Sequence, residues 1–253
     1  MIVAEGLSFN YGDIRVIDGV DLRTHEGRVL GLIGPNGSGK TTLLRILYGS
    51  LAPAAGTVTV DGQPLARLKP REAARSLSVV TQESDTESTM TVGEMVLLGR
   101  GPHLGPFERT GDQDHTIATN SLAKVGILHL GPRNFARLSG GERKRVLIAR
   151  ALAQQGTHML LDEPTNHLDI RYQHEVLSLL SGLGSSSIVV LHDLNLAARY
   201  CDYLLLLDHG RVAAYGTVDE VLDPLLLESV YGVRVRRLDL DAQIHLLFYP
   251  SEA

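Results

Sequence analysis

Eight consecutive residues, Gly34-Pro35-Asn36-Gly37-Ser38-Gly39-Lys40-Thr41, have the make-up of a phosphate cradle. The glycines let main-chain N–H groups turn inward toward phosphate oxygens. Lys40 adds a full positive charge toward the β- and γ-phosphates, and the Thr41 hydroxyl is suited to ligate Mg2+. The apolar run from Arg28 to Ile33 reads as a buried strand that feeds this loop. A helix starting near Lys40 would point the positive end of its dipole at the anion. Complementary chemistry sits at Asp162 and Glu163, which end the apolar run that begins at His158. Two adjacent carboxylates at the end of a buried strand are costly unless used or paired. Asp162 suits Mg2+. Glu163 suits orienting and deprotonating an attacking water, a role typically worth roughly 10²- to 10⁴-fold in rate. These two features indicate a nucleotide hydrolase or kinase, and the Asn-Lys-x-Asp tetrad that reads a guanine base is absent.

A third motif narrows the field. Leu138-Ser139-Gly140-Gly141-Glu142 precedes a run of apolar and basic residues, Val146 to Leu152. Ser139 and Glu142 are spaced as a capping box, so a helix is expected from Gly140. Gly140 and Gly141 there would offer a second anion site at a helix N-terminus. The motif resembles the signature of the ATP-binding cassette family, although glutamine is commoner than Glu142 at its last position. The box accepts either residue, and Arg143, Lys144 and Arg145 follow directly and could screen the added charge.

The resemblance spans residues 1 to 222 and implies further roles. Tyr11 matches the aromatic residue that stacks on adenine. Gly34 to Thr41, with Thr42 after it, match the nucleotide-binding loop. Gln82 matches the glutamine that reaches Mg2+ and the attacking water, Asp169 ends the segment Pro164 to Asp169 that matches the D-loop, and His192 matches the histidine that contacts the γ-phosphate. In such proteins each ATP lies between the phosphate loop of one subunit and the signature residues of another, here Ser139, Gly140, Gly141 and Glu142. One chain with one loop and one signature therefore implies a homodimer with two sites across a twofold axis.

The elements that must position these residues read as a single cassette domain over 1–253, of α/β class. The α/β core with an N-terminal antiparallel β subdomain is expected over 1–84 and 156–222. An inserted helical subdomain is expected over 85–155, and a C-terminal extension over 223–253. Strands are expected at 2–9, 16–23, 57–60 and 78–81. The near-continuous apolar runs His158 to Asp162, Ser187 to Leu191 and Tyr203 to Asp208 read as parallel strands covered on both faces. Helices are expected at 91–98, 112–125, 170–183 and 194–201, and Thr217-Val218-Asp219-Glu220 reads as a capping box. The stretch Gly99 to Pro106 is too rich in glycine and proline for regular structure. Arg234 to Leu238 and Gln243 to Tyr249 read as a strand pair with no assigned role.

The 253 residues carry a formal net charge of -5, which disfavours a nucleic-acid partner. Cys201 is the only cysteine, so a reducing compartment fits. No secretory signal is expected at Met1 to Gly12, and no apolar run approaches the roughly 20 residues of a membrane span. A membrane role must then come through a partner. The segment from Thr91 to His103, with Asn166 to Ile170 and Leu191 to Asn195, resembles the importer group for ferric siderophores, haem and cobalamin. That resemblance implies integral-membrane permease subunits, an extracytoplasmic binding protein, and a place at the cytoplasmic face of the membrane. Residues 83 to 105 are the expected permease dock, with Glu94 and Arg100 as its charges. A soluble cassette ATPase of iron–sulfur cluster assembly and an exporter ATPase are the alternatives.

Overall fold

The computed structural model describes residues 1–81, 89–166, 168–241 and 243–250. It divides into two compact units, one of Met1–Arg67 with Leu183–Ala253, the other of Leu68–Gly182.

The first unit holds two main sheets. The antiparallel one contains Ile2–Tyr11, Ile14–Arg23, Ala55–Val60 and Gln63–Pro64. The first two strands run longer than the sequence indicated, because the hairpin turn takes only Gly12 and Asp13. In the other, Val29–Ile33 lies parallel between Ser186–Val190 and Tyr203–Asp208, and Arg211–Thr217 adds an antiparallel edge. Every residue of Val29–Ile33 and Ser186–Val190 is buried, which is why both read as near-continuous apolar runs, with Ser186 and Ser187 as buried polar exceptions. The helix Lys40–Leu47 buries Leu43, Leu44, Ile46 and Leu47. The pairing of Leu32 with Val190 sets two strand ends side by side, and the Leu191 N–H donates to the Leu32 carbonyl. The phosphate loop and His192 thus emerge from one sheet edge, the carboxyl edge where open α/β sheets take ligands.

The second unit pairs Leu77–Val80 in parallel with His158–Asp162 and surrounds them with Pro70–Ser76, Val92–Leu97, Asp112–Lys124, Gly140–Gln154 and Ile170–Gly182. The stretch taken as irregular from Gly99 is partly a 3-10 helix, Leu98–His103. Its order comes from tertiary contacts. The Arg100 side chain is only 6% exposed, and its guanidinium donates to the Asp114 carboxylate, the Ala153 carbonyl and the Gln155 amide oxygen. The Arg71 and Arg75 side chains both donate to the Pro102 carbonyl. Arg100 is therefore an internal anchor and not a docking charge. Glu94 is likewise engaged locally, closing a capping box with Thr91. Gln82 lies outside the described residues.

Candidate functional site

The phosphate loop leaves Val29–Ile33 through Gly34, whose φ of 144° only glycine adopts with ease. A Cβ there would stand 2.2 Å from the Leu207 carbonyl oxygen. Gly39 caps the next helix with φ 102° and offers no side-chain acceptor to the first-turn N–H groups. No acidic residue occupies that turn. Lys40 is 5% exposed and its ammonium donates to the Gly34 and Pro35 carbonyls, each at 2.8 Å. The Ser38 hydroxyl is buried with no hydrogen-bond partner among the described residues. Uncapped helix N–H groups, a buried hydroxyl and a lysine folded onto its own loop are donors arranged for an anion. Tyr11 ends its strand 45% exposed, with the Phe9 ring edge-on at 4.9 Å. Its exposed ring is of the kind on which a flat base can stack. His192 is exposed one residue before Asp193, which caps the Leu194–Tyr200 helix through the Asn195 and Leu196 N–H groups.

In the second unit, Asp162 is 4% exposed at the end of its strand. Glu163 follows with φ 49°, a left-handed conformation that costs a non-glycine residue on the order of 1 kcal/mol. The Asn166 amide donates to its carboxylate, so the side chain is held as well as the backbone. Lys144 reaches across from the Gly140–Gln154 helix, and its ammonium donates to the Asp162 carbonyl at 3.3 Å. Burial lowers the Lys144 pKa, and the Asp162 and Glu163 charges work against that shift. Neither the Asn166 nor the Lys144 contact could be read from the sequence. Both depend on which turn of a helix or loop faces the strand end.

The signature helix begins as the spacing required. The Glu142 N–H donates to the Ser139 hydroxyl at 3.3 Å, and the Ser139 N–H and hydroxyl each donate to the Glu142 carboxylate at 2.8 Å. Those two bonds from Ser139 hold the Glu142 carboxyl below its ordinary range, and Arg133 and Arg145 assist. Of the three basic residues expected to screen Glu142, only Arg145 does so. Arg143 turns back to the Ala136 carbonyl and Lys144 to Asp162. Arg145 lies 4.0 Å over the Tyr172 ring. Ser139, Gly140, Gly141 and Glu142 share an open cavity of about 460 Å3 with Asp169 and Tyr172. That lining takes in both signature glycines and the first turn of the helix, separate in the chain from the phosphate loop.

A family model described as "ABC transporter" matches residues 17–166. The chain is 44% identical over 243 residues to the hemin import ATP-binding protein HmuV of Pseudomonas entomophila, covering 93% of this chain and 94% of that protein. It is 39% identical over 239 residues to the ferric enterobactin transport ATP-binding protein FepC of Escherichia coli, covering 93% and 88%. A solved structure described as an inward-facing conformation of a putative metal-chelate type ABC transporter superposes with a TM-score of 0.84 at 28% identity, covering 99% of this chain and 97% of that one.

Proposed function

This chain belongs to the ABC transporter family, and from that premise we propose that it is the ATP-hydrolysing subunit of an importer for an iron-chelate, haem or cobalamin-type cargo. The observation that carries the reading is the pair of anion receptors, the uncapped phosphate loop and the capped signature helix, in a chain similar along nearly its whole length to import ATPases.

In this reading the loop from Gly34 to Thr41, with Thr42, receives the phosphates of ATP, and Lys40 exchanges its own-loop carbonyls for phosphate oxygens. Tyr11 covers the adenine. The hydroxyl of Thr41 and the carboxylate of Asp162 would hold Mg2+, with Gln82 as a further ligand. These are oxygen donors, with phosphate oxygens to complete the set, as a hard cation of that size prefers. The metal supplies neutralisation of phosphate charge. Glu163, steadied by Asn166, takes the proton from the attacking water, while His192 steadies the γ-phosphate. The signature residues Ser139 to Glu142, with Asp169, act on the ATP of a second copy. Binding of two ATP molecules closes the homodimer and hydrolysis reopens it, a ligand-driven population shift. Among the described residues no helix is long and apolar enough to cross a membrane. The chain then sits at the cytoplasmic face of the membrane against separate permease subunits, fed by an extracytoplasmic binding protein.

Uptake of labelled ferric siderophore, haem and cobalamin by a deletion strain tests this. One cargo should return with the wild-type chain and not with Glu163→Gln. Normal uptake of all three in the deletion strain would contradict the importer reading.

A further inference from the structure

The C-terminal strand pair is joined to the helix that follows His192. Arg234–Leu240 and Gln243–Tyr249 form an antiparallel ribbon of their own. Asn195, three residues after His192, grips it. The Asn195 amide donates to the Leu246 carbonyl at 3.2 Å, and the Leu246 N–H donates to the Asn195 amide oxygen at 2.8 Å. A primary amide used this way pairs with a strand residue as another backbone would, and Leu246 itself is 3% exposed. The other strand is tied to the preceding helix, Pro224–Tyr231, by the Val235 N–H donating to the Glu228 carboxylate at 2.8 Å.

We propose that the C-terminal ribbon sets the place of His192, with Asn195 as a positioning residue for ATP hydrolysis. Asn195 holds the helix that His192 precedes, and His192 acts on the γ-phosphate during turnover. The proposal rests on the ATPase reading above.

Steady-state ATPase of the full chain tests the role, with melting temperature measured alongside. Asn195→Leu should lower kcat about tenfold and leave KM for ATP within about twofold, as expected for a misplaced group that acts late. Asn195→Asp, which keeps the acceptor for the Leu246 N–H and loses the donor, should fall between. Equal kcat and KM to wild type in both variants, or a loss of kcat that only tracks the folded fraction, would overturn the positioning role. If wild type shows no hydrolysis that Glu163→Gln abolishes, the ATPase reading falls and the positioning role falls with it.

Discussion

Lys40 and Glu163 show how much single residues are asked to do. Lys40 is buried against two carbonyls of its own loop, so the loop is pre-shaped around a charge that ATP can claim. Replacing it with alanine removes both the anion's partner and the loop's internal tie. Lys40→Ala should weaken ATP binding at least tenfold, read by fluorescent-nucleotide titration, because a charge-assisted bond to phosphate is worth on the order of 1.5–3 kcal/mol. Unchanged affinity would remove Lys40 from the phosphate site. Residue-level chemistry was the most legible part of this chain. Phosphate recognition needs glycines, lysine and threonine in unbroken order, and a buried strand ending in two carboxylates has few uses. The contacts that steady these groups were not legible. Asn166 on Glu163 and Lys144 on Asp162 join residues whose spacing carries no signal.

Elements with a capping signature were placed by sequence nearly to the residue. Ser139 with Glu142 and Thr217 with Glu220 both close as the boxes their spacing indicates, and Thr91 with Glu94 closes a third that the sequence analysis did not mark. The misses follow from missing patterns. Pro70–Ser76 buries none of its residues, so no apolar stripe marks it. Arg211–Thr217 is an edge strand without a fully buried position. Leu98–His103 is ordered by Arg100 and its distant partners and not by local propensity. The boxes also make a pH prediction. The Glu142 carboxyl is held below its ordinary value of 4.5 by the Ser139 N–H and hydroxyl. A depressed carboxylate contributes stability that is fully present above 4.5 and is lost as pH falls through the folded-state value. Glu142→Gln keeps the box without the charge. Its deficit in melting temperature against wild type should be largest near neutrality and close as pH drops below 4.5. A gap independent of pH would show that the charge contributes nothing. Glu94 and Glu220, similarly held, decline in both chains alike and cancel in the comparison.

For the molecule as a whole, the chain carries one phosphate loop and one signature, and in the proposed reading each receives phosphate. The α/β class and the antiparallel N-terminal sheet followed from strand patterns. The proposal of a second copy comes from counting one loop and one signature. The cargo is written in neither, since an ATP-hydrolysing subunit need not touch what the transporter moves. The central claim is that ATP joins two copies and hydrolysis parts them. Sedimentation of the purified Glu163→Gln chain, with and without saturating Mg-ATP, tests it most directly. The account predicts monomers without nucleotide, stable dimers with ATP, and monomers again when Lys40→Ala is added to Glu163→Gln. A Glu163→Gln chain that binds ATP and stays monomeric, or one that dimerises equally well without it, would contradict the account.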